Sequence, residues 1–296
     1  MDAFRPCAAE YEFTWPHPAG TAPTAPLRSA AQTRIAKTMI DFDRFRHIMA
    51  EAGRLALASW PGHGHALEVW DKSPNNPVSA ADLAVDGYLK QELGALLPAA
   101  GWLSEETADD PVRLDKGLCW LVDPIDGTRD FVRGRPGWAV SVALVSEGRP
   151  LIGALDAPAR GEFWLAVAGQ GATRNDLPLT ASNRQSLSGA RVPADAVPRV
   201  DHDLVLVDKP NSIALRIAMV AADEADLLAT LRWGYEWDIG AAALIAREAG
   251  AAVSDAFGAP LAYNKRDPRA FGLLAAAPAI HAAAVDRLAE RASRMA

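Results

Sequence analysis

The stretch LVDPIDGTRDF, residues 121–131, ends an apolar run with two aspartates three residues apart. Pro124 fixes its own φ and is expected to stop the strand, and Gly127 permits a backbone turn that other residues resist. Asp123 and Asp126 are therefore aimed at one point just past a buried strand. An Asp-x-x-Asp-Gly segment alone is typical of a solvated turn, so its meaning depends on the rest of the chain.

Three further segments place acids where an apolar stretch ends or a helix begins. Glu105 and Glu106 end GWLSEE, Asp238 begins a helix in WGYEWDIGAAA, and Asp82 lies in a first helical turn in PVSAAD. Taken singly, such acids are typical of a charged strand end, a helix N-cap and a capping box. Taken together they predict a cluster, and clustered carboxylates cannot be desolvated unless something neutralises them.

Hard divalent cations neutralise such a cluster, and oxygen-only ligands favour Mg²⁺. The chain has two cysteines, too few for a Cys-based zinc site or a disulfide framework, and no HxxxH pair. With 37 acidic and 30 basic residues, an acidic protein can bind an anionic substrate through several Mg²⁺ ions. In two-metal sites one ion activates water and the other stabilises the leaving oxygen of a phosphate.

Charge and hydropathy exclude several partners. No block of like charge reaches five residues, so neither a nucleic-acid arm nor a polybasic membrane segment is expected. The longest apolar runs fall far short of the roughly 20 residues of a membrane helix, so stable membrane insertion is not expected either. The low cysteine count indicates a reducing compartment, and we expect a cytoplasmic location.

Hydrophobic periodicity predicts strands in runs in the first half and mixed with helices in the second. The residues 138–145 alternate a large face with a small face, which indicates a sheet covered on both sides. This order predicts a layered α/β (α+β) architecture. Helices are predicted at 41–60, 77–98, 212–222 and 238–250 and from Pro278, and strands at 101–106, 118–123, 138–145, 150–158, 161–172, 203–208 and 269–277.

Composition also predicts the organisation of the chain. Residues 1–38 are rich in proline, with Gly and Thr between, and are expected to be a disordered or loosely attached extension; Met39 is an alternative start. A polar, Pro-containing stretch at 181–202 predicts a boundary. The N-terminal lobe, 39–182, then carries most of the acids, and the C-terminal lobe, 183–296, carries Asp238 and part of the substrate pocket.

Several of these segments resemble a known family. DPIDGT (123–128), SEE (104–106) and WDIGAA (237–242) resemble, in order and spacing, three signature segments of the Mg²⁺-dependent, lithium-sensitive inositol monophosphatase superfamily. PVSAAD, with Lys72 upstream, resembles its first conserved stretch. The resemblance runs from about Asp41 to the C-terminus. It implies an αβαβα sandwich fold, hydrolysis of small phosphate monoesters and, often, a homodimer.

The resemblance also implies roles for individual residues. Asp82 and Glu106 resemble acids near a third, weaker metal, so two to three Mg²⁺ ions are expected. Thr128, with Asp82, resembles the group that orients water for direct in-line attack on phosphorus, without a phosphoenzyme. Gly127 and Thr128 open a helix whose N–H groups would hold phosphate. The implied metal ligands are Glu105, Asp123, the Ile125 carbonyl, Asp126 and Asp238.

The substrate is indicated less directly. NPVSAAD, LSEET and GAPLAYN (258–264) resemble bacterial 3'(2'),5'-bisphosphate nucleotidases, which convert 3'-phosphoadenosine 5'-phosphate to AMP and phosphate. Asn211 departs from the glycine usual at this position. Alternatives are an inositol-1-monophosphatase, a histidinol-phosphatase or a non-catalytic metal-binding interaction module. Lys72, Ser212 and Tyr263 are candidate substrate contacts; the alternative roles are a surface lysine, a helix cap and a packed tyrosine.

Overall fold

The structure is a computed structural model that describes residues 40–64, 69–73 and 76–296, without the side chains of 71–78. The predicted N-terminal extension lies outside the described residues. The helices are α1 (Phe42–Ala58), α2 (Ala80–Leu96), α3 (Thr128–Val132), α4 (Ile213–Ala221), α5 (Glu236–Glu248) and α6 (Pro278–Met295). The strands are β1 (Val69–Ser73), β2 (Asn76–Ser79), β3 (Gly101–Ser104), β4 (Leu118–Asp126), β5 (Ala139–Ser146), β6 (Arg149–Ala157), β7 (Glu162–Val167), β8 (Ala172–Arg174), β9 (Leu177–Pro178), β10 (Arg191–Pro193), β11 (Val205–Val207), β12 (Leu227–Tyr235), β13 (Ala252–Ser254) and β14 (Arg269–Ala276).

A seven-stranded sheet in the order β3-β4-β5-β6-β7-β8-β9 forms the centre of the molecule. Strand β3 runs parallel to β4, and the other neighbours are antiparallel. Ser104 pairs with Val122, so β3 and β4 end at the same edge. The pairing therefore brings the acids that follow β3 beside those at the end of β4.

Helices cover both faces of this sheet. The large residues Val140, Val142 and Leu144 of β5 share a core with α1 and α2, whereas Ala139 and Ala143 share a core with α4 and α5. The predicted large and small faces are thus confirmed. The small face exists because α5 lies close to the sheet.

A second sheet, β12-β14-β13, lies between the α4/α5 layer and α6. Leu227 and Leu274 of this sheet pack against Ile280, Ala284 and Leu288 of α6 in a third apolar cluster. The layers are therefore α1/α2, the large sheet, α4/α5, the small sheet and α6. This is the expected αβαβα sandwich, and none of the described helices is long and apolar enough to cross a membrane.

Several elements differ from the sequence prediction. Strand β4 does not stop at Pro124 but continues to Asp126, because a register shift between Asp123 and Asp126 absorbs the missing proline N–H. Strand β12 was not predicted, and Asn76–Ser79 form β2 rather than the start of a helix. The core around α4 and α5 draws residues from both predicted lobes, and the boundary at 182/183 stays a prediction.

Candidate active site

The structure brings five of the predicted acids together at one edge of the large sheet. Asp123 lies on β4, and burial first, then the charges of Glu105, Asp126, Asp238 and Asp82, raise its pKa well above its usual value. The four other carboxyls are thus close enough to repel Asp123. They come from the ends of β3 and β4 and the first turns of α2 and α5.

The carboxyl of Asp238, like that of Asp123, has a raised pKa. Burial and the charges of Asp126 and Glu105 raise its pKa well above its usual value, although the Tyr235 N–H and the Arg232 charge oppose the shift. A raised pKa means that the carboxyl resists ionisation in this environment. A nearby cation would reverse that preference.

Protein donors hold these carboxyls in the structure. Asp82 Oδ2 accepts hydrogen bonds from the N–H and hydroxyl of Ser79, at 2.8 and 2.6 Å. Asp123 Oδ1 accepts from the Ile125 N–H at 3.0 Å. Within the described ranges, no three acid, His or Cys side chains already surround one point as a metal shell would. The cluster is therefore convergent in charge but not arranged as a finished coordination sphere.

Asp126 joins the sheet edge to the start of α4. Its carboxylate accepts hydrogen bonds from Ser212 Oγ at 2.5 Å, from the Ala214 N–H at 2.7 Å and from the Ile213 N–H at 3.3 Å. Burial raises the pKa of Asp126, and these bonds with the Arg216 charge partly offset that rise. The three bonds fix the orientation of Asp126.

Ser212, a candidate substrate contact, caps a helix in the structure. Its side chain is fully buried, and its hydroxyl donates to Asp126 while accepting from the Leu215 N–H at 2.9 Å. Because both functions of the hydroxyl are used inside the protein, Ser212 caps α4 and orients Asp126. The alternative of a helix cap describes this residue correctly.

Tyr263 is likewise placed in the interior. Its ring packs in the core beneath the large sheet, its hydroxyl makes no hydrogen bond to the described residues, and burial raises its pKa to about 12. The alternative of a packed tyrosine describes this buried ring, and the substrate contact by Tyr263 stays a prediction. Lys72 lies on β1, but its side chain is outside the described part of the chain.

Thr128 begins α3, as predicted, and lies between two of the other candidates. Its hydroxyl donates to the Ile125 carbonyl at 3.0 Å and lies 3.5 Å from Asp82 Oδ1. Gly127 precedes it at φ +97°, and a Cβ there would lie 2.7 Å from the Gly137 carbonyl oxygen. Glycine is therefore required both by the backbone angle and by the close approach.

A cavity of about 270 Å³ adjoins the cluster and includes residues that the sequence analysis missed. Glu105 and Asp238 line one side, and Arg232, Trp233 and Tyr235 of β12 line another. Trp233 and Tyr235 are 53% and 42% exposed, which is unusual for aromatic side chains. The alternation in LRWGYEW, just before Asp238, is the signal that could have identified them.

The donor set fits a hard cation such as Mg²⁺. Every candidate ligand is a carboxylate or carbonyl oxygen, which are the ligands that Mg²⁺ prefers. The mutual repulsion that raises the pKa of Asp123 and Asp238 would be relieved by a positive charge between them. Their roles as metal ligands stay predictions.

An αβαβα sandwich with a carboxylate cluster at its strand ends is compatible with metal-assisted hydrolysis of phosphate esters. The model of the inositol monophosphatase family matches residues 43–293. The chain belongs to this family, and it is a phosphoric monoester hydrolase.

The curated relatives differ in their activities. A 3'(2'),5'-bisphosphate nucleotidase CysQ of Aggregatibacter actinomycetemcomitans is 30% identical over 66% of this chain and 78% of its own length. An inositol-1-monophosphatase of Rhizobium meliloti is 33% identical over 70% of this chain and 82% of its own. Among solved structures, the IMPase of Thermotoga maritima has a TM-score of 0.74 at 25% identity, covering 86% of this chain and 98% of its own. These similarities support the family and the fold without separating the substrates.

Proposed function

We propose that this chain is a Mg²⁺-dependent 3'(2'),5'-bisphosphate nucleotidase that converts 3'-phosphoadenosine 5'-phosphate to AMP and phosphate. The phosphatase class rests on the family, and the metal dependence rests on the carboxylate cluster. The nucleotide rests on one observation, the aromatic and arginine wall of the cavity beside that cluster.

The residues that would hold two to three Mg²⁺ ions are those of the convergent cluster. When bound, Mg²⁺ lowers the pKa of a coordinated water and offsets charge on the leaving oxygen. The ligands are Glu105, Asp123, the Ile125 carbonyl, Asp126 and Asp238, with Asp82 and Glu106 near a third ion.

The chain's own groups can take up a proton beside the phosphate. The Thr128 hydroxyl donates to the Ile125 carbonyl in the structure; turned instead towards Asp82 Oδ1, 3.5 Å away, it would leave its lone pairs free to accept a hydrogen bond from a water. A proton accepted by Thr128 can then pass to Asp82, which Ser79 holds in place. This arrangement supports general-base assistance by the Thr128–Asp82 pair, with Glu106 as a neighbouring acid.

The cavity wall favours a leaving group with a planar base. Tyr235 stacks on Trp237, with ring centroids 4.4 Å apart and 5° between the planes, and the exposed Trp233 lies beside it on β12. A base gains dispersion and stacking energy on such surfaces, whereas the hydroxyl-covered ring of inositol gains less. Arg232, close enough to Asp238 to oppose the rise in its pKa, adds positive charge for a second phosphate.

Inositol-1-monophosphatase is the second candidate. The Rhizobium meliloti relative carries that name at 33% identity, slightly above the nucleotidase relatives. Histidinol-phosphatase is a further alternative. A non-catalytic metal-binding module is disfavoured because the five clustered acids and Thr128 are all present.

A phosphate-release panel tests these proposals. Its substrates are 3'-phosphoadenosine 5'-phosphate, inositol 1-phosphate, histidinol phosphate and fructose 1,6-bisphosphate, each with and without Mg²⁺. We expect the nucleotide to have the highest kcat/KM and Trp233→Ala to raise its KM about tenfold, consistent with the loss of one stacking contact. Leu177→Ala, exposed on β9, is the control. A higher kcat/KM for inositol 1-phosphate would reject the nucleotide assignment, and no Mg²⁺-dependent turnover would reject the enzyme proposal.

Three further properties are proposed from the family resemblance and the composition. We expect inhibition by Li⁺, a cytoplasmic location and a homodimer in solution. The described cysteine, Cys119, is buried and unpaired, and burial raises its pKa to about 12, which is compatible with a reducing compartment.

A further inference from the structure

Asp86 lies one turn after Asp82 on α2 and has no predicted role. Its Oδ1 accepts a hydrogen bond from Ser104 Oγ at 2.5 Å, and its Oδ2 accepts one from Thr107 Oγ1 at 2.6 Å. Asp86 and Ser104 are both buried. One carboxylate on α2 therefore holds both ends of the segment 104–107.

That segment contains two of the predicted site acids. Ser104 is the last residue of β3, and its hydroxyl oxygen also receives the Glu106 N–H at 3.4 Å. The Glu105 N–H donates to the Val122 carbonyl at 3.2 Å, which extends the pairing of β3 with β4 by one residue. The glutamate backbones are thus tied to β4 directly and to α2 through Ser104.

The segment needs such ties because it carries charge into a repulsive site. Glu105 follows the end of β3, its N–H bonds to the carbonyl of the residue before Asp123, and its side chain lines the same cavity as Asp238. Carboxylates gathered in this way repel one another, and a loop beyond a strand end yields easily to such repulsion. Hydrogen bonds to an ionised carboxylate are about twice as strong as neutral ones and resist that displacement.

We propose that Asp86, Ser104 and Thr107 form a positioning network that sets the spacing between Asp82 and the Glu105–Glu106 pair, and thereby the affinity for Mg²⁺. This inference rests on the proposed metal-dependent function. The network acts through the glutamate backbones rather than on the substrate or the phosphate. Such supporting partners around metal ligands typically change metal affinity or activity about 10–100-fold when they are lost.

The test is the double variant Ser104→Ala/Thr107→Val, which removes two hydroxyls and changes no charge. We expect its Mg²⁺ dissociation constant, measured by calorimetry, to rise about 10–100-fold. The Mg²⁺-induced rise in Tm should shrink at a fixed Mg²⁺ concentration. Turnover should recover to within a few-fold of wild type at saturating Mg²⁺. Thr107→Val alone, which leaves the Ser104 bond in place, should show a smaller effect and serves if the double variant does not fold.

Ser182→Ala is the matched control. Ser182 donates to the buried Asp226 at 2.5 Å, the same type of bond in the other half of the chain, and Asp226 keeps its bonds from Arg191. The Ser182→Ala protein should be less stable than wild type but should bind Mg²⁺ with unchanged affinity. Variants at 104 and 107 that bind Mg²⁺ as tightly as wild type would overturn the inference and leave the proposed function standing. Absence of Mg²⁺ binding by the wild type would instead reject the proposed function, and this inference with it.

Discussion

Replacing Asp123 with Asn separates the electrostatic cost of the carboxylate cluster from the packing around it. Asp123 is 2% exposed, and its Oδ1 accepts the Ile125 N–H at 3.0 Å. The amide oxygen of asparagine can accept the same bond at nearly the same volume. The substitution therefore removes only a group whose pKa is raised by burial and by the neighbouring acids, Glu105 first among them.

The expected gain in stability follows from the repulsion between Asp123 and the neighbouring carboxylates. Two unit charges about 5–6 Å apart interact by about 3 kcal/mol at an effective dielectric constant of about 20, and protonation limits the cost to less than the sum over several neighbours. We expect the metal-free Asp123→Asn protein to be about 1–3 kcal/mol more stable than wild type near neutral pH. For a chain of this size that is a rise in Tm of several degrees.

The pH dependence shows whether the ionised Asp123 stabilises or destabilises the folded protein. Because the pKa of Asp123 is raised in the folded state, the wild type loses stability as pH rises above the unfolded value of about 3.9 and through the folded value. The advantage of Asp123→Asn should therefore vanish near pH 4 and grow with pH. Thermal melts in EDTA across this range, with the same melts in Mg²⁺, are the assay. Mg²⁺ should raise the Tm of the wild type more than that of the variant.

Asp226 supplies a control of opposite sign. It is equally buried, and although burial alone raises its pKa, hydrogen bonds from Arg191 and Ser182 outweigh that and lower it to about 2. Asp226→Asn should therefore destabilise the protein by about 1–3 kcal/mol at neutral pH. That loss should fade as pH falls from about 4 towards 2, and the response to Mg²⁺ should not change. A metal-free Asp123→Asn protein that is less stable than wild type at neutral pH would refute the view that the cluster is repulsive.

Three further outcomes are expected. Thr128→Val should lower kcat about 10²-fold while calorimetric Mg²⁺ affinity is kept, because the proposed role of the hydroxyl is to orient the water and not to bind the metal, and Thr128→Ser should recover most of the rate. Equal losses in both variants would contradict this role. Gly153→Ala should lower the free energy of unfolding by about 1–3 kcal/mol in denaturant melts, since its Cβ would lie 2.5 Å from the Ala241 carbonyl oxygen. Gly87→Ala, in open space on α2, should instead raise it by up to about 1 kcal/mol. Similar values for the two variants would show that α5 moves away from the sheet at little cost. Burial raises the pKa of Asp156 to about 7, so the free energy of unfolding should fall as pH rises from about 4 to 7. Asp156→Asn should remove part of that pH dependence in urea melts. An unchanged pH dependence would disprove the raised pKa of Asp156.

The sequence predicted the layers well where periodicity was strong. The alternation at 138–145 predicted a doubly covered sheet, and the two faces of β5 do join different cores. It failed at β12, where the buried Leu227 and Leu228 are followed by partly buried and exposed residues up to Tyr235, so burial does not alternate along the strand. Pairing with β14 forms the strand despite that pattern.

The candidate site also contains residues that the sequence predicted and residues that it did not. Asp82, Glu105, Asp123, Asp126 and Asp238 were identified because acids at strand ends and helix starts carry a local signal. The burial of Ser212 and Tyr263 and the bond from Ser212 to Asp126 were not foreseen, since sequence shows which hydroxyls exist but not which are already bonded or buried. Asp86 was missed because its partners, Ser104 and Thr107, are 18 and 21 residues away along the chain.

The amino-acid sequence by itself determined which groups this protein can use: oxygen ligands without soft ones, a hydroxyl beside an acid, and a glycine at a turn that demands one. Only the tertiary structure decided what those groups meet. The parallel pairing of β3 with β4 brings Glu105 to Asp123, and β12 brings aromatic rings to the same cavity. The physical reason is that local preferences act over a few residues, whereas charge repulsion, burial and hydrogen bonding depend on distances that only the folded chain sets.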